Sequence, residues 1–362
     1  MEPVIMKKVL MIASAASHFE NFHIPYIKYL AEKGVQVYTA SAGELNCKYI
    51  SAHFSLPFRK KLYHPLNLAV ILRLARLMRK ERFDALYTNS SLAGFTGRMA
   101  LILSGKKSAK AVHICHGYLF DDDGSRRSRL YLAFEKLVRC RTDLLAVMNR
   151  DDAEIAEKYS LGRKIVFING MGLDPAPFAP VGGDTVQTLR SEWGASDETV
   201  VFLCVGEFSP RKNQQCILEA CALLKGKDHH MVFAGDGELL EDCKKLAEKL
   251  EISDKMTFLG HFSDTNRLYR SCDCLISASR FEGLPFNVME AVYCGTEILV
   301  SDVKGSRDLA EAYGGRTFPY GGARELAALM QDTQRQLCRK NADGKFLLEN
   351  VFEENLTKLE MI

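Results

Sequence analysis

Glu282 and Glu290 stand eight residues apart in the segment Ser279-Arg-Phe-Glu-Gly-Leu-Pro-Phe-Asn-Val-Met-Glu290. The residue types around them predict a strand ending near Ser277, a loop over Glu282 and Gly283, a helix with Pro285 in its first turn, and Gly295 as its stop. Gly283 lets backbone approach a ligand closely. The amides of the first helical turn, reinforced by the helix dipole, suit a phosphate or diphosphate. The two carboxylates can then accept hydrogen bonds from hydroxyls on either side of a bound diphosphate, with Leu284 and Pro285 lining its approach. Two glutamates at this spacing are common, however, and they also fit a first-turn charge and an exposed helix carboxylate.

A second constellation is Val205-Gly-Glu-Phe-Ser-Pro-Arg-Lys212, a strand end and loop that opens a helix. Its cations, Arg211 and Lys212, can neutralise a departing diphosphate. Gly235 and Asp236 begin a Gly-Asp-Gly turn after another strand, a weak signal for nucleotide lining. The chain has neither the Gly-x-Gly-x-x-Gly spacing of dinucleotide binders nor a Gly-x-x-x-x-Gly-Lys-Ser/Thr loop. His113 and His116 suggest a zinc pair by type, but their spacing straddles a strand end and no third ligand is evident. Cys272 and Cys274 likewise lack completing ligands. No metal or other cofactor is expected.

Taken together, the stretch Phe281–Ala291 resembles the Glu-x7-Glu signature of family 4 retaining glycosyltransferases, which have the GT-B fold. The resemblance implies that Glu282 lies by the donor sugar and that Glu290 binds the ribose hydroxyls. It also implies that Lys212 is the phosphate-binding lysine, and that His116-Gly117 is the His-Gly element facing the reacting sugar. Ser17 to Tyr26, with His18 and His23, resembles the corresponding loop of members that build bacterial exopolysaccharides and capsules, which makes Ser17, His18 and His23 candidates for acceptor or phosphate contacts. Val303–Leu309 resembles the same members and is expected to pack beneath the donor site. Two positions depart from the family: Glu207 stands where an arginine is frequent, and the Gly-Gly pair of many members is absent after the first strand.

Positioning such residues requires alternating strands and helices. Short β-branched runs at Lys8–Ile12, Val35–Ala40, Ala85–Tyr87, Ala111–Cys115, Leu144–Met148 and Ile165–Ile168 alternate with helical-period segments, the mark of parallel βαβ units. The pattern restarts at Thr199–Val205, His230–Ala234, Met256–Phe258, Cys274–Ser277 and Glu297–Val300. Between the two sets lies a Pro/Gly-rich segment, residues 169–184. The expected fold is therefore α/β, two Rossmann-like doubly wound domains facing a cleft. The boundaries are an acceptor-side domain over 1–175, a nucleotide-sugar domain over 176–345, and a helix over 346–362 crossing back to the first. Ligands of such sheets bind at the carboxyl ends of the strands.

The whole chain agrees with this. Its 362 residues exceed one ordinary core, and 47% hydrophobic with 26% charged residues excludes a disordered or fibrous protein. A net charge of +3 is too mild for nucleic-acid binding. The 11 cysteines, without a Cys-x-x-Cys pair, fit buried thiols in a reducing compartment. Met6 to Ala16 mimics a signal peptide but reads better as a first buried strand. Arg59 to Arg82 holds eight basic residues and one acid. Arg73, Arg76 and Lys80 share one helical face and Val70, Leu74, Leu77 and Met78 another, with Arg126, Arg127 and Arg129 extending the basic patch.

The expected function is metal-independent transfer of a sugar from a nucleotide (UDP) donor, with retention, to a lipid-linked or saccharide acceptor in bacterial surface polysaccharide synthesis. The expected location is the cytoplasm, at the inner face of an anionic membrane. A GT-B nucleotide-sugar epimerase and a non-catalytic partner subunit remain as alternatives. Glycoside hydrolysis is disfavoured, because its two carboxylates flank the scissile bond.

Overall fold

The computed structural model describes residues 7–59, 64–106, 109–224, 226–335, 342 and 344–362. Lys60 and Lys61 of the basic stretch lie outside them. The chain divides into two compact units, residues 1–172 with 349–362, and residues 173–348.

In the first unit the order is β1 (Lys8–Ala15), α1 (Ala16–Phe22), α2 (Ile24–Glu32), β2 (Gln36–Ala42), β3 (Ala52–Ser55), α3 (Pro65–Lys80), β4 (Ala85–Asn89), α4 (Ser91–Ser104), β5 (Lys110–Ile114), α5 (Arg126–Val138), β6 (Leu144–Val147), α6 (Arg150–Lys158) and β7 (Lys164–Phe167). The seven strands pair in the order β3-β2-β1-β4-β5-β6-β7, and every pairing is parallel. Strand order reverses between β1 and β4, which is where such sheets take ligands. Apolar side chains of β1, β2 and β4 pack against Val70, Leu74 and Met78 of α3 and Ala100 and Leu101 of α4. A buried ion pair fixes α4 to α5: Arg98 donates to both carboxylate oxygens of Glu135, at 3.1 and 2.8 Å, and to Thr142 Oγ1 at 2.9 Å.

The second unit runs α7 (Gly183–Glu192), β8 (Val200–Val205), α8 (Gln214–Leu223), β9 (His229–Ala234), α9 (Leu240–Lys249), β10 (Met256–Phe258), α10 (Thr265–Ser271), β11 (Cys274–Ser277), α11 (Phe286–Tyr293), β12 (Glu297–Ser301), α12 (Ser306–Tyr313), β13 (Arg316–Phe318) and α13 (Ala323–Asp332). Its sheet is parallel in the order β10-β9-β8-β11-β12-β13, reversing between β8 and β11. Both faces are buried, as parallel sheets require. Val201 and Leu203 of β8 point into one core layer, while Val200, Phe202 and Cys204 point into the other. The second layer also holds Cys216, Cys221, Cys243 and Cys274. Burial pushes the Cys204 and Cys221 thiols up to about 12, so these sulfurs are inert filling.

The last helix, α14 (Leu348–Lys358), belongs to the first unit for nearly all its length. Asn355 donates to Tyr26 Oη and to the Gly170 carbonyl, both at 2.8 Å, and Leu356 and Leu359 are fully buried. Two strands exceed the sequence expectation. β3 is a half-exposed edge strand and β13 a three-residue edge strand, so neither carries a long apolar run.

Candidate active site

In the second unit the predicted donor residues converge on the reversal between β8 and β11. After β8 the chain turns at Gly206, and the Lys212 stem lies over it: a Cβ at Gly206 would come within 3.3 Å of Lys212 Cε. Lys212 Nζ donates to Glu282 Oε1 at 2.8 Å, and Arg211 Nη1 donates to the same oxygen at 2.7 Å. Two further bonds join the loops that carry them. The Arg280 amide donates to the Arg211 carbonyl at 2.8 Å, and Asn287 Nδ2 on α11 donates to the Val205 carbonyl at 2.9 Å. Arg211 also lies over the Phe281 ring, 6.0 Å from its centroid.

The Glu282 side chain is only 10% exposed. Burial works to raise its carboxyl, but the charges of Lys212 and Arg211, with hydrogen bonds from Lys212 and Ser279, outweigh burial and hold it below the usual range. Sequence reading assigned the lysine to phosphate and the glutamate to sugar as separate contacts. The structure joins them as one ionised cluster.

Glu290 is not an exposed helix carboxylate. It sits on α11, whose Val288, Met289, Ala291 and Val292 enter the core, and its Oε2 accepts from Tyr269 Oη at 2.6 Å. Burial raises the carboxyl to about 7, with the Tyr269 hydrogen bond opposing it. Tyr269, fully buried on α10, escaped sequence reading because it lies in an ordinary amphipathic helix.

Around these groups the backbone packs tightly. Pro285 is the N-cap of α11, with φ −72° and ψ 119°, so the helix starts one residue later than the first-turn placement expected. Leu284 packs against the core. A Cβ at Gly305, where φ is +74°, would lie 2.1 Å from the Gly283 carbonyl oxygen, so the turn before α12 supports the Glu282–Gly283 loop. Gly235 has the same kind of role: a Cβ there would lie 2.1 Å from the Gly206 carbonyl oxygen. Asp236 is exposed, and its carbonyl accepts from the Phe208 amide. Glu207, exposed, accepts through its carbonyl from Gln214.

In the first unit the predicted histidines also come together. His18 lies on α1, His23 between α1 and α2, and His116 just after β5. Their ring centroids are 4.4 Å apart for His18 and His116, 5.3 Å for His18 and His23, and 5.6 Å for His23 and His116. Burial lowers His18 to about 4 and pushes His23 and His116 well below the imidazole range, with the neighbouring histidines adding to the effect. Neutral rings can hydrogen-bond a hydroxyl but bring no positive charge to a phosphate.

Ser17 is exposed on α1. His113 is elsewhere, buried beneath α4, with its Nδ1 3.0 Å from Thr88 Oγ1 and its ring where a Cβ on Gly94 would clash. It is a packing residue, so the pair suggested by residue type does not form, as its spacing across the strand end led one to expect. Ser90 was missed. It follows β4 at the reversal with φ 74° and ψ 158°, a conformation that is nearly glycine-only, and its Oγ is 3.4 Å from Ser14 Oγ. A cavity lined by Met78, Phe83, Leu86 and Leu101 lies at the amino end of β4, away from these strand ends.

The two halves match two family models: Glycosyltransferase Family 4 over residues 26–173, and Glycosyl transferases group 1 over residues 185–337. The chain is 29% identical over 341 residues to a putative glycosyltransferase EpsD of Bacillus subtilis, covering 92% of this chain and 90% of that one. It is 29% identical to the Escherichia coli UDP-Gal:alpha-D-GlcNAc-diphosphoundecaprenol alpha-1,3-galactosyltransferase, over 67% of this chain and 63% of that one. Its fold matches that of Anabaena Alr3699/HepE in complex with UDP-glucose, with a TM-score of 0.75, 17% identity, and coverage of 98% and 100%. With two parallel-sheet units of GT-B type and both family regions in sequence, the chain belongs to the family 4, group 1 glycosyltransferases.

Proposed function

We propose that this glycosyltransferase moves a hexose-type sugar from a UDP-sugar, with retention at the anomeric carbon, to a lipid-linked or saccharide acceptor in bacterial surface polysaccharide synthesis. The observation that carries the reading is the Lys212–Glu282–Arg211 cluster at the reversal of the second sheet. The relatives' own donors and acceptors support the finer assignment: one uses UDP-galactose and a diphosphoundecaprenol acceptor, and another acts on a diphospho-undecaprenol sugar.

In this reading the donor diphosphate meets Lys212 and Arg211, already held in place by ionised Glu282. Charge that develops on the leaving group is met by a fixed cation in a partly dry site, the term that dominates such catalysis. Glu282 keeps lone pairs for sugar hydroxyls, because a carboxylate accepts at about four positions. Glu290 takes the ribose hydroxyls, and Gly283, Leu284, Pro285, Gly235 and Asp236 line the nucleotide. His116 offers a neutral imidazole to a substrate hydroxyl, Ser17 and His18 border the acceptor side, and His23 lies buried behind them. Lysine and arginine supply the charge that magnesium supplies in other transferases, so the donor chemistry runs without a metal.

We further infer a peripheral place at the cytoplasmic face of the membrane. No helix among the described residues is long and apolar enough to cross one. Helix α3 exposes Leu68 and Leu72 beside Arg73 and Arg76, and α5 exposes Leu130 and Leu137 beside Arg126, Arg127 and Arg129. Apolar side chains next to arginines suit an anionic lipid surface, each basic residue contributing about 1 kcal/mol.

Incubation with a panel of UDP-sugars tests the reaction. Transfer to a diphosphoundecaprenol-linked sugar, giving a product with the donor's anomeric configuration, is the expected result. An epimerised donor without acceptor would show an epimerase instead.

A further inference from the structure

Buried polar atoms normally have partners, and leaving one unmatched costs about 1–3 kcal/mol. In the first unit several unmatched atoms belong to one cluster: His18 Nε2, both ring nitrogens of His23, and His116 Nε2 are buried without a hydrogen-bond partner. One ring nitrogen from each of the three histidines lies within 4.8 Å of those of the other two. The topology explains the meeting. His18 and His23 follow β1, His116 follows β5, and β4 lies between those strands, so all three gather over the carboxyl end of β4.

The occupant that would satisfy them has to be small. His23 is fully buried, so a sugar cannot reach its ring. Phe22 closes one side, with its centroid 4.8 Å from that of His18 and 5.5 Å from that of His116. The donor set is nitrogen only. No aspartate or glutamate joins the cluster among the described residues, which disfavours calcium and magnesium and favours zinc, cobalt or nickel. Nitrogens around a tetrahedral zinc lie about 3.4 Å apart, given Zn–N bonds of about 2.0–2.1 Å. Ring rotations moving each nitrogen by about 1 Å would close the site, leaving a fourth position for water.

We propose that His18, His23 and His116 form a binding site for a first-row transition-metal dication such as zinc. The sequence pairs His116 by type with His113, three residues earlier and inside β5, and shows no third ligand; the structure brings His18 and His23 to His116 instead. The site would tie the α1–α2 connection to the end of β5. It stands on this cluster and not on the donor-site reading, although both use His116.

The test is Co²⁺ loading of the full chain after treatment with a chelator. The expected result is one equivalent of Co²⁺ with visible ligand-field bands, no thiolate-to-cobalt charge-transfer band, and displacement by Zn²⁺. His23→Ala should weaken Co²⁺ binding at least tenfold. His18→Gln, at a less buried position, should do the same if His23→Ala fails to fold. His261→Ala, which removes an exposed histidine, should leave the spectrum unchanged. Lys212→Ala should also keep it, so a failed donor site and a failed metal site give different results. Equal Co²⁺ binding by wild type and His18→Gln would overturn the proposal, as would a spectrum dominated by thiolate ligation.

Discussion

At the residue scale the informative feature is that two glutamates of the same motif sit in opposite electrostatic environments. Glu282 is buried with two cations and stays ionised, whereas Glu290 is buried against a tyrosine and is raised to about 7 from 4.5. A carboxyl whose folded pKa is raised contributes stability that is fully present below about pH 4.5 and is lost as pH rises through about 7. Wild type should therefore lose on the order of 3 kcal/mol relative to Glu290→Gln between about pH 4.5 and 8, read from urea unfolding without nucleotide. Parallel pH profiles for the two proteins would show that Glu290 is ionised throughout. The motif residues were legible in the sequence because the whole stretch Phe281–Ala291 resembles a family signature; two glutamates eight apart are too common to single out alone. Their partners were not. Tyr269 comes from another helix, and the Lys212–Glu282 bond joins residues 70 positions apart.

At the element scale, alternation of apolar runs with helical segments placed eleven of the strands, the central ones most clearly because a strand buried on both faces needs a continuous apolar run. β3 and β13 have partners on one side only and carry too few apolar residues to stand out. Buried charges were equally invisible, because nothing in the chain reveals which arginine meets which acid. Arg190 on α7 donates to Asp273 Oδ2 at 3.0 Å, and that oxygen also accepts the Val201 amide of β8 at 2.8 Å. Both side chains are almost fully buried. Removing one partner leaves an uncompensated charge in the core, which typically costs about 3–5 kcal/mol. Asp273→Ala should show that loss in chemical denaturation, and a loss below about 1 kcal/mol would mean that water or a neighbour replaces the carboxylate.

At the scale of the whole molecule, each unit presents its candidate groups at its own sheet's order reversal, the donor cluster at β8/β11 and the three histidines over the carboxyl end of β4, beside β1. The first unit is completed by the far end of the chain. Stopping after residue 348 would remove Val351, Leu356 and Leu359, all buried, along with the Asn355 bonds to Tyr26 and Gly170. Each buried aliphatic side chain is worth about 1.5–3 kcal/mol, so the truncated chain should show an earlier melting transition, measured by calorimetry. An unchanged melting profile would mean that the helix is an ornament to the first unit.

The central claim, that the Lys212–Glu282 cluster holds a nucleotide-sugar diphosphate, is tested most directly by titrating UDP-sugars into wild type and Lys212→Ala by calorimetry, with circular dichroism to confirm folding. Loss of a charge-assisted contact worth about 1.5–3 kcal/mol predicts roughly 10- to 150-fold weaker binding to a folded variant. Equal affinity in the two proteins would contradict the account.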